Sequence, residues 1–325
     1  MVQKSIVLKC LIGEATFVLE YYYKIKPIAI SFLSNGSSNT NLLIISEQGK
    51  FALKYTPYVD LIFCEYQEWM SNYLQMHFPK GIFNSTNVKG ELITIFRNSM
   101  WQLRAYEEGR FYEMKNINDT LLAAEQLGFL HGLKIPENKA TKSNSIVSEI
   151  KMNISQIGNL ETELAPYFSK DKTKEMIRSY CDIGLVCENA LPLIGESCSI
   201  IHGDYHGGNI IFNNEKMRCI IDWDTSSTSP SIFDLAKSLY MLCRKDHGQF
   251  VMDSYLANIF MDKYLSMHNV NNLLLKIIPD IIGAMFIPND KYIRTFSDKT
   301  KLEWYLKWTY EAAKNGHREL GKISF

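Results

Sequence analysis

One stretch limits the fold of this chain more than any other. Between Ser199 and Asp224, a sequence that reads as helical on both sides switches to two short runs of strand period, SIIHGDYHGGNIIF and KMRCIIDWD. The first run holds Asp204 in a glycine-flanked loop with Asn209 five residues on, and the second closes on Asp222 and Asp224. Carboxylates at strand ends are poor core material, because burying an unpaired charge is costly. Their arrangement points instead to chemistry. One carboxylate can orient and deprotonate a hydroxyl, while an amide oxygen and a second carboxylate are hard ligands suited to Mg2+ beside a phosphate.

The flanks differ in texture. Before residue 109 the chain reads as short apolar runs broken by turn residues: IAISFL, SNGSSNTN, LLIISEQGKFALKY. Ser46-Glu47-Gln48-Gly49 between two of these runs is a hairpin signal, as is Arg97-Asn98-Ser99 between GELITIF and MWQLRAY. Val59 to Met76 has helical spacing, so this region reads as a small antiparallel sheet with one helix inserted. Beyond residue 109, Asn118, Asp119 and Thr120 offer N-caps for a helix ending near Gly132. Pro136 to Lys142 is a polar linker, and helical stretches follow over about 145–165 and 170–190, then again from Phe233 onward. The expected organisation is α+β, with a β-rich lobe over 1–108 and a helix-rich lobe over 109–325 carrying an isolated β-hairpin.

Composition excludes several classes of function. The 325 residues hold 46% hydrophobic and 22% charged residues, enough for a folded core. Lys plus Arg number 35 against 35 Asp plus Glu, so the basic surface of a nonspecific nucleic-acid binder is not expected. No apolar run reaches the length of a membrane span, and Lys9 and Glu14 interrupt any signal-peptide core. Seven scattered cysteines with no CxxC pair read as reduced thiols buried as small hydrophobes, so the expected location is the cytoplasm.

HGDYHGGN resembles the catalytic loop, and IDWD the metal-binding loop, of the aminoglycoside phosphotransferase and choline kinase-like family of protein-kinase-like small-molecule kinases. SPSIFDLAKSLY resembles the helix that follows the metal loop, and KFALK the strand that carries the nucleotide-phosphate lysine. The resemblance implies a bilobal protein-kinase-like fold that uses Mg2+ and ATP or GTP to phosphorylate a hydroxyl of a small molecule. It implies Asp204 as the catalytic carboxylate, Asn209 and Asp222 as metal ligands, and Lys54 on the α/β-phosphates. Glu65 is implied as the partner of Lys54, with Glu68 three residues on competing for the role. His202 and Asp234 are implied as braces of the catalytic loop, with His206 and Asp224 as further supports. Adenine is expected along Arg104, Ala105, Tyr106 and Glu107.

The sequence departs from protein kinases in two places. The phosphate-covering loop, with Ser34, Asn35, Gly36, Ser37 and Ser38, has one glycine, and no Lys or Arg follows Asp204 within its loop. The second departure favours small-molecule acceptors. The resemblance makes the expected acceptor an antibiotic bearing hydroxyl and amino groups. The alternatives are a metabolic acceptor of homoserine, choline or amino-sugar type, or a catalytically silent kinase-fold scaffold. The expected partners are the nucleotide and this acceptor, with no nucleic acid and no membrane, in a monomer or homodimer.

Other features read as structural or as decoys. His131 ends a helix, where its charge suits the C-terminus, and Trp304 and Trp308, four apart, read as packing. GHRELGK lacks the Ser or Thr of a P-loop, since Ile323 stands at that position. Asp222 to Phe233 lacks the glycine and the closing glutamate of a calcium loop. His202-Gly-Asp204 could be half of an Fe(II) facial triad, but that reading requires a β-rich barrel where this chain turns helical.

Overall fold

The structure is a computed structural model that describes residues 2–35, 40–136, 146–195, 198–296 and 298–323. The chain divides into two compact units, Met1–Glu108 and Gly109–Phe325.

The first unit is built on a five-stranded antiparallel sheet of order β1-β2-β3-β5-β4. Its strands are β1 (Pro27–Asn35), β2 (Thr40–Ser46), β3 (Gly49–Thr56), β4 (Thr94–Phe96) and β5 (Ser99–Ala105). Both expected hairpins form. Ser46 pairs with Gly49, whose φ of 125° no β-carbon-bearing residue adopts readily. Phe96 pairs with Ser99 across Arg97 and Asn98, both at positive φ, which is the primed two-residue turn that suits strand twist. Helix α1 (Val2–Val18) precedes the sheet and was not expected from the sequence. Its apolar residues are spread around the helix instead of forming one stripe, so periodicity does not mark it. Ala15, Val18 and Leu19 pack on the sheet face made by Leu42, Ile44, Leu53, Trp101 and Leu103. Helix α2 (Leu61–His77), capped by Asp60, packs Cys64 against Met100 and Ile93. With both faces covered, the residues of β5 from Ser99 to Leu103 are all buried.

The second unit opens with β6 (Arg110–Phe111), followed by α3 (Ile117–His131), which packs closely on α8 (Ser254–Met267). A β-carbon at Gly128 would stand 2.7 Å from that of Met267, so glycine sets the approach. The cap of α3 is Asn116, not the residues 118–120 expected. Asp119 is instead buried and holds Arg110 by two bonds of 2.5 and 2.8 Å. The stretch near 145–165 divides into α4 (Ile146–Ser155), a 3-10 turn at Ile157–Asn159 and α5 (Leu160–Leu164), while α6 (Lys170–Ala190) is continuous. β6 belongs to a sheet of order β6-β8-β9, in which β8 (Ile210–Asn213) and β9 (Lys216–Ile220) form the expected hairpin. A second, two-stranded sheet pairs β7 (Ser199–Ile201) with β10 (Ser227–Ser229). Helix α7 (Ser231–Leu242) follows. The remainder contains α9 (Asn272–Lys276), α10 (Ile278–Ile282), α11 (Asp290–Ile293) and α12 (Lys299–Leu320). All seven cysteines are free thiols, but Cys10, Cys181 and Cys198 are exposed, so they are not all small core residues as expected. Among the described residues no helix is long and apolar enough to cross a membrane.

Candidate active site

The loop between β7 and β8 carries Asp204, and its shape is fixed by three braces. The first is glycine geometry. Gly203 has a φ of 80°, and a β-carbon there would stand 2.6 Å from the carbonyl oxygen of Thr225. The second is His202, fully buried between Tyr205 and Trp223. Its Nδ1 accepts the backbone N–H of Asp204 at 3.3 Å, so its proton sits on Nε2 and is donated to the Ile221 carbonyl at 3.0 Å. Burial lowers its pKa and keeps the ring neutral. His202 thereby links the backbone at Asp204 to the residue preceding Asp222.

The third brace is Asp234 on α7. Its carboxylate accepts the backbone N–H groups of His202 at 2.8 Å and Gly203 at 3.1 Å, and meets His131 Nε2 at 3.2 Å. Burial alone would raise its pKa, but these donors outweigh it and hold the group ionised below the usual range. His131 therefore does more than end a helix. It is buried, reaches Asp234 with one ring nitrogen and Tyr264 Oη with the other at 2.7 Å.

Two side chains address the carboxylate of Asp204 itself. His206 accepts the Gly208 N–H on Nδ1 at 3.0 Å, so its Nε2–H faces Asp204 Oδ2 at 3.3 Å. Lys237, one turn beyond Asp234 on α7, donates to Asp204 Oδ1 at 2.7 Å and to the Gly203 carbonyl at 3.1 Å. Burial would raise the pKa of Asp204, yet Lys237 and His206 together hold it well below the usual carboxylate range. The loop does lack a basic residue after Asp204, but the following helix brings one to the same carboxylate. Only tertiary packing makes that pair, so local sequence gave no signal for it.

Asn209 lies at the end of the same loop, in the 3-10 turn Gly207–Asn209. Its amide nitrogen donates to the Asp204 carbonyl at 2.9 Å and lies 3.5 Å from Asp204 Oδ2, which leaves the amide oxygen as an acceptor. Asp222 has a left-handed backbone, φ 66° and ψ 61°, a costly conformation for a residue with a β-carbon. Among the described residues no group of three or more His, Cys, Asp or Glu can hold a metal alone. An amide oxygen and one carboxylate fit Mg2+, which takes few protein ligands and completes its shell with phosphate oxygens and water.

The first unit places the other expected residues. Lys54 is buried on β3 in register with Gln102 of β5. Glu65 lies on the exposed side of α2. Glu68 is half-buried and accepts the Leu92 N–H at 3.1 Å. Ser34 and Asn35 end β1, paired with Asn41 and Thr40, and Gly36, Ser37 and Ser38 lie outside the described residues. In the stretch expected to meet adenine, Arg104 and Ala105 belong to the sheet, and the Tyr106 N–H is taken by the Lys50 carbonyl at 3.0 Å. That donor is therefore spent. Asp224 is half-buried beside Trp223. Trp308 packs edge-on to Phe250 and Phe286, while Trp304 stacks on it and is exposed.

Comparison with known proteins gives matches to one segment and to the fold. The model of the phosphotransferase enzyme family matches residues 186–261, the stretch containing Asp204, Asn209, Asp222, Asp234 and Lys237. No curated protein matches the sequence. Among solved structures, a spectinomycin phosphotransferase bound to AMP is similar over 96% of this chain and 99% of its own, at 16% identity and a TM-score of 0.69. An amicoumacin kinase in complex with AMP-PNP, Ca2+ and Ami is similar over 97% and 95%, at 13% identity and a TM-score of 0.67. A Plasmodium vivax ethanolamine kinase is similar over 96% and 90%, at 15% identity and a TM-score of 0.64. At such identities the likeness establishes the fold, which is the α+β fold of protein-kinase-like small-molecule phosphotransferases.

Proposed function

We propose that this chain transfers the γ-phosphoryl group of ATP or GTP to a hydroxyl of a small molecule. The observation that carries the reading is the braced carboxylate of Asp204, kept ionised by Lys237 and His206 on the loop that also presents Asn209. A carboxylate this acidic is a weak base. Its work is to accept the hydrogen bond of the acceptor hydroxyl, aim the oxygen at phosphorus, and take the proton late as the oxygen–phosphorus bond forms and the bond to the nucleoside diphosphate breaks. That division of labour suits a loose transition state, in which positioning and charge neutralisation dominate.

Asn209 and Asp222 would hold Mg2+, which when bound supplies positive charge beside the β- and γ-phosphates. Lys54 would meet the α/β-phosphates, with Glu68 in place of Glu65 as its partner because Glu68 is the inward of the two. His202 and Asp234 act on the loop and not on the substrate. The acceptor would be a hydroxyl- and amino-bearing molecule such as an antibiotic, and the protein would work in the cytoplasm as a monomer or homodimer.

The test is nucleoside diphosphate release with Mg·ATP or Mg·GTP across a panel of amino alcohols, hydroxy amino acids and hydroxylated antibiotics. Asp204→Asn should lower kcat by on the order of 10²–10⁴, the usual contribution of a positioned base. An unchanged rate in that variant refutes the assignment.

A further inference from the structure

The second unit holds a cavity of about 380 Å³ beside the catalytic loop, lined by Phe111, Met114, His206, Met241, Arg244 and His247, and floored by the Gly207–Gly208 turn. Arg244 is the unusual member. It is buried, only 6% exposed, yet no carboxylate pairs with it among the described residues. Its Nε makes one long bond to the Met241 carbonyl at 3.4 Å, its guanidinium lies 5.1 Å from the Phe250 ring centre, and its Nη1 has no partner at all. Its backbone is pinned by a bridge to Met252, so the position is built and not a loop accident. Stripping a cation of water without a counter-ion is costly, and burial lowers the pKa of Arg244. An anion in the adjoining cavity would supply the missing counter-charge. The other polar groups there, His206 and His247, are imidazoles, and no acidic side chain lines the cavity among the described residues.

We propose that the acceptor carries, besides its hydroxyl, a carboxylate bound in this cavity by Arg244. The inference rests on the phosphotransferase reading and narrows its substrate class. His206 lines the cavity and also stands 3.3 Å from Asp204 Oδ2, so the cavity lies next to the catalytic carboxylate. Apolar walls from Phe111, Met114 and Met241 accommodate a short carbon chain. A hydroxy acid or hydroxy amino acid meets these demands, whereas a polycationic antibiotic gains nothing from a guanidinium. The carboxylate is untouched by the reaction: the hydroxyl oxygen gains the phosphoryl group, its proton leaves through Asp204, and the nucleoside diphosphate departs.

Matched pairs that differ only by a carboxylate test the proposal on the full chain: L-serine against ethanolamine, L-homoserine against 3-aminopropanol, L-threonine against 1-amino-2-propanol. With Mg·ATP, kcat/KM should favour the acids at least ~10-fold, the share of one charge-assisted fork. Arg244→Met should collapse that ratio through the KM of the acids, and Arg244→Lys should restore part of it. Amino alcohols preferred over acids, with a ratio that Arg244→Met leaves unchanged, overturn the proposal. A calorimetric titration of succinate without nucleotide decides the matter even if no acceptor in the panel reacts. Wild type should bind saturably, and Arg244→Met, folded by its melting curve, at least ~10-fold more weakly. Equal binding to both proteins, or tighter binding of inorganic phosphate than of succinate, overturns it. Failure of the kinase reading looks different: no acceptor releases ADP and Asp204→Asn behaves as wild type, while succinate still binds at Arg244.

Discussion

Replacing Asp234 by Asn exchanges one oxygen for an NH2 group in the fully buried brace of the catalytic loop, and its cost can be worked from the contacts. The carboxylate receives the N–H groups of His202 at 2.8 Å and Gly203 at 3.1 Å and faces His131 Nε2 at 3.2 Å. An amide keeps one oxygen, so one backbone donor remains satisfied. Its NH2 then opposes the other backbone N–H, and the charge that strengthened both bonds is gone. An orphaned buried donor costs about 1–3 kcal/mol, and breaking a buried charge-assisted set costs about 3–5 kcal/mol in all. Typical domain stability is about 5–15 kcal/mol, so the variant should still fold. The loss should appear locally. Hydrogen exchange of the peptide spanning residues 199–210 should accelerate by roughly 10²–10³, because each 1.4 kcal/mol is tenfold. Phosphoryl transfer should fall with it, although Asp234 touches no substrate. Exchange in that peptide accelerated less than about tenfold would refute the claim that Asp234 holds the loop.

Three further outcomes follow from other contacts. Lys237→Met removes the cation 2.7 Å from Asp204, and kcat should drop about 10–100-fold with nucleotide KM unchanged, somewhat less than the loss of a direct transition-state donor; steady-state kinetics check both numbers. Gly203→Ala meets the Thr225 carbonyl at 2.6 Å and forces a β-carbon into φ 80°, so it should cost at least about 1–3 kcal/mol by urea midpoint and remove most activity. His268 is held to a pKa of about 4, chiefly by burial and then by His131, against an ordinary value of 6.5. Its unfolded form protonates first, so its contribution is complete above pH 6.5 and lost as pH falls toward 4. After solvent screening of a half-buried ring this amounts to about 1–2 kcal/mol, which His268→Gln should abolish in paired denaturation curves at pH 7 and pH 4.5.

What the sequence revealed follows a physical line. HGDYHGGN and IDWD were legible because glycines and carboxylates at strand ends serve no packing purpose, and the spacing of Asp204, Asn209 and Asp222 is local. The two hairpins were legible because turn chemistry is local too: Arg97 and Asn98 both adopt positive φ where the turn requires it. Lys237 and His131 were not, since they reach their carboxylates across 33 and 103 residues and only helix packing sets those meetings. Arg244 was illegible for the opposite reason, because its significance lies in a partner it lacks. Helix α1 was missed because its apolar residues surround the helix, which leaves no period to read. Glu65 and Glu68 are three apart on one helix, and the sequence alone could not say which faces inward; burial separates them.

The equal numbers of acidic and basic residues take on meaning only when the charges are located. A neutral chain cannot attract a polycation by bulk field, so selectivity must come from a few placed groups. Around the catalytic loop those placements do not build an acidic trap. The charge of Asp204 is already matched by Lys237 at 2.7 Å, that of Asp234 is consumed by backbone donors and His131, and Asp222 is the carboxylate assigned to the metal. The adjoining cavity adds the uncompensated cation of Arg244. A fold shared with antibiotic kinases and with an ethanolamine kinase does not by itself choose between them; the proposal rests the choice on the guanidinium of Arg244, which suits an acceptor that brings its own negative charge.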